Sequence, residues 1–353
     1  MSKLSRIISE IQPLDEEAMH ATRVRQNTLT KPLGSLGRLE ELSVRVAGIK
    51  ANPLPKIHNK AIMVMVADHG VVSDGVTPYP QEVTAQMVKN FLGGGAGINV
   101  LAGQIGARVV IVDIGVNAEL PAHSKLLIKK VAKGTNSIAQ CAAMTKQQAI
   151  DSIEVGINVL EGELSKGLDI VGTGDMGIGN TTASSAICAA ITGESSQRIT
   201  GRGTGIDDEM LAHKARIVNQ SLEINRPNPE DALDVLSKVG GFEIGGIAGV
   251  ILAGAAHRIP VVIDGFISGA GALIAIGLAP ITREYLIAAH VSAEPGHRVL
   301  LNYLGLQPLL DLGMRLGEGT GACLGMYLTE AATRIVNDMA TFKEAGVSEA
   351  QEA

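Results

Sequence analysis

Four segments of the 353-residue chain carry residue types at spacings that chemistry could use. In Arg315-Leu316-Gly317-Glu318-Gly319-Thr320-Gly321 a glutamate stands between two glycines, just before a long apolar stretch. The glycines leave the backbone free to aim the side chain at a ligand, and the positive end of the following helix would keep the carboxylate ionised as a base. Complementing that helix dipole would also explain Glu318, and the residues alone leave both readings open. Gly172-Thr173-Gly174-Asp175-Met176-Gly177 fits G-x-G-x-x-G between a predicted strand and a predicted helix, the local setting of a dinucleotide fingerprint. That fingerprint belongs after the first strand, with a carboxylate about twenty residues on. Here it follows the third candidate strand, and Glu194 falls in a turn-like Thr-Gly-Glu-Ser-Ser. The more general expectation is a helix start whose free N–H groups, with Asn180, Thr181 and Thr182 behind them, hold a phosphate or a ribose. A plain tight turn is the alternative.

Gly201-Arg202-Gly203-Thr204-Gly205-Ile206-Asp207 is a second glycine-rich loop, with Lys214 on the helix that follows. Two such loops and a lysine suit a mononucleotide phosphate better than a triphosphate, since no G-x-x-x-x-G-K-[ST] occurs. A solvated turn is the competing reading. Asp68-His69-Gly70 could be a metal-ligand pair or a base, but adjacent residues of an extended chain point apart and no H-x-x-x-H accompanies them. Asp68 therefore reads as a hydrogen-bonded structural residue at a strand end.

These segments need a scaffold that gathers them. From Ala61 onward, short continuously apolar runs each end in Gly or a polar residue and precede a helix-length segment, the pattern of buried parallel strands. Five runs fit: Ala61–Ala67, Val109–Val112, Leu168–Val171, Val261–Ile263 and Tyr285–Ala289. Their polar residues fall at the carboxyl ends, where open parallel sheets bind ligands, so Asp68, His69, Asp113, Asp175, Asp264 and His290 are expected along one crevice. The first fifty residues contain no strand pattern. Leu4, Ile7, Ile8 and Ile11 mark a short helix closed by Pro13, a second helix runs from Glu16 to Asn27, and Ser35 is placed to cap a third whose Leu36, Leu39, Leu42, Val46 and Ile49 share a face. Asn52–Lys60 reads as a linker and Gly93–Gly97 as a turn between helices. The last helix is expected from Gly319 to Thr341, with Leu324, Leu328, Ala331, Ile335 and Met339 on one face, and the acidic tail after Phe342 is expected to fray.

Composition narrows the function. Hydrophobic residues make up 46% of the chain but aromatics only 2%, so the core must be aliphatic. Thirty Lys and Arg against 36 Asp and Glu give a net charge of −6, and with almost no aromatic rings for base stacking this excludes a nucleic-acid partner. Cys141, Cys188 and Cys323 are widely spaced and suggest buried thiols in a reducing compartment, with neither a zinc site nor a disulfide framework. No signal-like run opens the chain, and its longer apolar stretches are broken by charge or Pro. The expectation is a soluble, cytoplasmic protein with no membrane partner.

Ordered along almost the whole chain are Lys31-Pro32-Leu33-Gly34-Ser35-Leu36-Gly37-Arg38-Leu39-Glu40, Ala67-Asp68-His69-Gly70, Gly177-Ile178-Gly179-Asn180-Thr181-Thr182, Val239-Gly240-Gly241-Phe242, Ile263-Asp264-Gly265-Phe266, Ser292-Ala293-Glu294 and Met314-Arg315-Leu316-Gly317-Glu318-Gly319. In these the sequence resembles the nicotinate mononucleotide:dimethylbenzimidazole phosphoribosyltransferase family, which makes the lower-ligand nucleotide of cobalamin. The resemblance implies an α/β fold, with a doubly wound, mostly parallel Rossmann-like sheet spanning residues 55–304. It also implies a smaller helical domain formed by both chain ends, residues 1–54 and 305–345, with 346–353 as a disordered tail. It implies a homodimer that transfers the 5-phosphoribosyl group of nicotinate mononucleotide to a benzimidazole-type base, with no metal and no cofactor.

Under that resemblance Glu318 matches the family's general base, which removes the benzimidazole N–H proton. Gly177, Gly179, Asn180, Thr181, Gly203, Lys214 and Ser292 match phosphate and ribose contacts, and Asp264 closes its strand over the same crevice. Val76 to Met87, including Tyr79, and the Leu316 wall match the pocket for a flat apolar ring. Asp175 is a departure, standing where many members carry Glu, so any contact it makes shifts by a methylene. Two rival readings remain: an NAD-dependent oxidoreductase resting on Gly172–Gly177, and a non-catalytic nucleotide-binding regulator with the same fold.

Overall fold

Lys60–Ala67, strand β1, is buried along its whole length, which is why its sequence is apolar without alternation. In the computed structural model, which describes residues 2–348, β1 lies at the centre of a six-stranded, all-parallel sheet. Before it come helices α1 (Lys3–Glu10), α2 (Glu16–Thr28) and α3 (Arg38–Lys50). After it come α4 (Glu82–Gly93), α5 (Gly97–Ile105), β2 (Ala107–Gly115), a short edge strand β3 (Leu126–Ile128) and α6 (Lys146–Leu164). β4 (Ile170–Met176) leads into α7 (Asn180–Thr192), α8 (Ser196–Ile199), α9 (Asp208–Asn225), α10 (Ala232–Val239) and α11 (Phe242–Ala256). β5 (Val261–Ile263), α12 (Phe266–Leu278), β6 (Leu286–Ala288), α13 (Pro295–Leu304), α14 (Thr320–Asp338) and α15 (Phe342–Ala345) complete the chain.

The strand order is β3-β2-β1-β4-β5-β6, so the winding reverses between β1 and β4. In such doubly wound sheets the crevice outside the carboxyl ends at this switch point receives the ligand. Two aliphatic cores cover the faces. One joins α6, α11 and α12 to the sheet, and the other joins α5 and α14 to it. The glycine content serves the first core. A Cβ on Gly156 would stand 1.9 Å from Gly246 O, and one on Gly249 would stand 1.9 Å from Ile153 O, so α6 and α11 cross with their backbones nearly touching. Helices from the two chain ends also meet: Arg25 Nε donates to Val336 O at 2.6 Å, and Leu29 bridges Thr341. Among the described residues no helix is long and apolar enough to cross a membrane.

Several expected boundaries move. Ser35 does not cap α3: Ser35, Leu36 and Gly37 form a turn, because Gly37 takes φ 49°, ψ −120° and the Leu36 N–H is held by Glu40 Oε1 at 3.0 Å. Gly172 to Asp175 lie within β4 rather than in a loop after it. The edge strand β3 is an addition. Residues 342–345 form a helix stabilised by a reciprocal Thr341–Glu344 cap, whereas this stretch was expected to fray. Of the tail expected to be disordered, residues 349–353 lie outside the described residues.

Candidate active site

The carboxyl edge of the sheet opens into a cavity of about 630 Å³. Gly177, Gly179, Asn180 and Thr181 line it at the start of α7, where Gly179 adopts φ 94°. The Asn180 and Thr182 N–H groups are taken by Gly177 O at 3.1 Å and Gly179 O at 3.0 Å, so what the helix start offers a ligand is chiefly the positive end of its dipole. Lys214, on α9 and only 2% exposed, reaches this helix start. Its Nζ donates to Thr181 Oγ1 at 2.7 Å and to Gly201 O at 3.4 Å. Burial lowers the Lys214 pKa to about 8, against the opposing pull of Glu294. No carboxylate pairs with Lys214 within salt-bridge distance among the described residues, so a buried cation and the positive end of a helix face one volume. Ser292 and Gly203 line the same side, and Val76, Tyr79, Val83, Met87, Ile178 and Leu316 supply a largely apolar wall.

Glu318 lines the cavity from the turn before α14. It takes φ +65°, a left-handed conformation costly for a residue with a Cβ and held only because its surroundings fix it. Three contacts do so. Glu318 Oε2 accepts the Ile98 N–H of α5 at 3.2 Å. The Asp264 carboxylate after β5 accepts the Gly319 N–H and the Ala322 N–H, each at 3.0 Å, capping a helix whose own N-cap is a glycine. Beneath the turn lies Gly174 of β4, where a Cβ would stand 2.5 Å from Glu318 O. Burial raises the Glu318 pKa, the Ile98 N–H opposes the rise and Asp264 adds to it. A strained, buried carboxylate with raised basicity is the pattern of a general base.

Asp175, at the end of β4, accepts Asn180 Nδ2 at 2.9 Å through Oδ2, while its buried Oδ1 has no partner among the described residues. Its pKa is pushed well above the ordinary carboxylate range by burial, then by Asp264 and Glu243. Every residue expected to bind substrate or catalyse lines the cavity except Thr182, which is buried inside α7, and Asp264, whose carboxylate lies behind the Glu318 turn with both oxygens engaged. Of the other strand-end residues, His290 lines it and three do not. Asp68 accepts the Asn117 N–H at 2.7 Å, His69 pairs with buried Glu243 at 2.7 Å, and Asp113 pairs with Lys130 at 2.9 Å. The G-x-G-x-x-G match does not form a fingerprint loop. Its first two glycines sit inside β4, where Ile62 and the Glu318 backbone leave no room for a side chain. Glu294, Arg315 and Thr204 also line the cavity and were not singled out as site residues; the Ser-Ala-Glu and Met-Arg-Leu-Gly strings around two of them were the available signal.

A switch-point crevice with a helix start, a buried lysine, a strained carboxylate and an apolar wall suits an α/β enzyme acting on a phosphorylated, ring-bearing substrate. The comparisons with known proteins agree. A family model described as Phosphoribosyltransferase matches residues 11–347. The chain is 59% identical, over 99% of both sequences, to the nicotinate-nucleotide–dimethylbenzimidazole phosphoribosyltransferase of Desulforudis audaxviator. It is 57% identical over the full length of both to the protein of that name from Chloroflexus aggregans. The crystal structure of CobT from Thermus thermophilus superposes with a TM-score of 0.91 at 46% identity, covering 95% of this chain and all of that one. The chain belongs to the nicotinate-nucleotide–dimethylbenzimidazole phosphoribosyltransferase family.

Proposed function

We propose that this enzyme transfers the 5-phosphoribosyl group of nicotinate mononucleotide to 5,6-dimethylbenzimidazole or a related base, as a step in assembling the cobalamin lower ligand. The observation that carries the reading is one cavity joining a buried lysine at a helix start to a strained carboxylate beside an apolar wall. Family membership supports the same reaction. The phosphate is held at the positive end of α7 by Lys214, Ser292 and the Gly203 loop, and the flat base lies against Tyr79, Met87 and Leu316.

The bond from ribose C1′ to the pyridinium nitrogen breaks, and its electron pair stays on nicotinate, which leaves neutral at that nitrogen and needs no acid. The benzimidazole nitrogen forms the new bond to C1′ with inversion, giving α-ribazole 5′-phosphate. The N–H proton on the second ring nitrogen passes to Glu318, whose raised pKa matches it to this task. Asp175 plays a secondary role beside it, and Asp264 holds the turn that carries it. Holding both substrates in one crevice supplies much of the remaining acceleration. The protein works as a cytoplasmic homodimer with no metal or cofactor.

The test is a product assay with purified protein, nicotinate mononucleotide and a panel of dimethylbenzimidazole, benzimidazole, adenine and p-cresol. Chromatography is expected to show nicotinate released in step with a riboside phosphate. Binding of the nucleotide without any product, or hydride transfer with NAD, would overturn the reading.

A further inference from the structure

Both backbone groups of Gly203 are taken by side chains from other parts of the chain. Its N–H donates to Glu294 Oε1 at 2.8 Å, from the segment after β6. Its carbonyl accepts Arg315 Nη1 at 2.7 Å, from the segment that carries Glu318. The strap so held lies directly on the Lys214–Thr181 pair: a Cβ on Gly203 would stand 3.2 Å from Lys214 Nζ and 3.1 Å from Thr181 Oγ1. A third, weaker tie joins Thr204 Oγ1 to Thr77 Oγ1 at 3.4 Å, across the cavity mouth. Glu294 is 5% exposed, and its other oxygen is buried without a partner against Gly201, so the carboxylate is fixed in place while Arg315 is exposed. Charge assists both bonds to the strap, which makes them the strong members of its hydrogen-bond set.

We propose that Glu294 and Arg315 are positioning residues that clamp the Gly203 peptide over Lys214 and thereby set the affinity for the phosphorylated donor. The assignment rests on the proposed reaction for its substrate but not for its geometry. Neither side chain is required to touch the reacting atoms. Their role is to keep the strap closed on the lysine that meets the phosphate, and releasing either end opens it.

The strap contains exposed Arg202, so trypsin cleavage after Arg202 reports its opening directly. In the ligand-free protein Arg315→Ala is expected to speed that cleavage about fivefold or more, because cleavage tracks the open population. Arg315→Lys, which still donates to the Gly203 carbonyl, is expected to restore much of the protection. Glu294→Ala should reproduce the acceleration, and Glu294→Gln, whose amide oxygen still accepts the Gly203 N–H, should largely reverse it. In turnover, Arg315→Ala is expected to raise KM for nicotinate mononucleotide about tenfold, the scale of one charge-assisted hydrogen bond, with kcat within about threefold and the acceptor KM unmoved. Equal cleavage of the wild type and Arg315→Ala, or a fall in kcat with the donor KM unchanged, overturns the clamp. If the wild-type protein makes no riboside phosphate, the proposed reaction fails, and the cleavage rates still decide whether the clamp exists.

Discussion

In the proposed reaction Glu318→Gln removes the proton acceptor and little else. The amide oxygen of Gln can still accept the Ile98 N–H that Glu318 Oε2 takes at 3.2 Å, and the φ of +65° is unchanged, so the turn and the Asp264 cap stay in place. The proposed reaction places the donor's phosphate at Lys214 and the start of α7, not at Glu318, so its KM should stay within about twofold, as expected when a contact made only in the transition state is removed. What is lost is general-base catalysis, typically 10²–10⁴-fold, or about 3 to 5 kcal/mol of barrier at roughly 1.4 kcal/mol per tenfold. The pH profile gives an independent sign. Burial raises the Glu318 pKa, so wild-type kcat/KM for the acceptor should fall as pH drops through that raised value, above the usual glutamate range. The variant should lack this limb. Stability moves the other way. A carboxylate whose folded pKa is raised contributes stability below its unfolded pKa and loses it as pH rises through the folded one. At pH 7 the ionised Glu318 is therefore a cost, and Glu318→Gln should melt no lower than wild type, with its relative advantage shrinking in acid. Steady-state kinetics from pH 5 to 9, paired with calorimetric melts, reads all three. A kcat within about tenfold of wild type, or an acid limb that survives in the variant, would refute the role of Glu318 as base.

The sheet was legible because buried parallel strands need uninterrupted apolar runs, and five of the six strands have them. β3, Leu126–Ile128, is no shorter than β5, but it lies between lysines at the sheet edge and no helix follows it until Lys146, so it lacks the strand-then-helix pattern that marked the others. The polar residues at the strand ends fell on one edge for the same topological reason, since a parallel sheet places all its carboxyl ends together. The fingerprint reading failed at Gly172 and Gly174 for a tertiary cause. Both glycines continue β4 under Ile62 and the Glu318 turn, and a local pattern cannot distinguish a glycine needed for close packing from one needed for a loop. Asp264 was expected at the ligand, yet both its oxygens are bound to the start of α14, because that helix begins at a glycine with no cap of its own. Glu294 and Arg315 lie 91 and 112 residues from Gly203, and nothing in the spacing announces that they would grip one peptide.

Three further outcomes follow from the geometry. Because burial lowers Lys214 to about 8, its ammonium is lost as pH rises through that value. KM for nicotinate mononucleotide should climb from about pH 7 to about pH 9, and Lys214→Met should start from a higher KM and lack the climb; a pH-independent KM in the wild type would remove Lys214 from the phosphate site. Asp175→Asn keeps an acceptor for Asn180 while removing a buried carboxyl whose pKa is raised well above normal. It should raise the melting temperature at pH 7, less so in acid, and lower turnover less than Glu318→Gln does; a lower melting temperature at pH 7 would show that the ionised form is stabilised instead. Gly174→Ala tests how tightly the base must be held. The new Cβ would stand 2.5 Å from Glu318 O, 2.7 Å from Glu318 C and 2.9 Å from Gly319 N, all backbone atoms that cannot swing away. Either β4 or the Glu318 turn must yield, and β4 is buried and paired with β1, so the turn moves. A shift of about 1 Å at a reacting group costs on the order of 10²-fold, so kcat should fall by that factor while calorimetry finds nucleotide binding nearly intact. Gly172→Ala is the control, since its Cβ meets the end of the Ile62 side chain at 2.3 Å rather than the Glu318 backbone, a group that can give way, and should lower the melting temperature with a smaller loss of kcat than Gly174→Ala. Near wild-type kcat in a folded Gly174→Ala enzyme would mean that Glu318 reaches its substrate from a turn that tolerates displacement, and the strain at φ +65° would then have no part in aiming it.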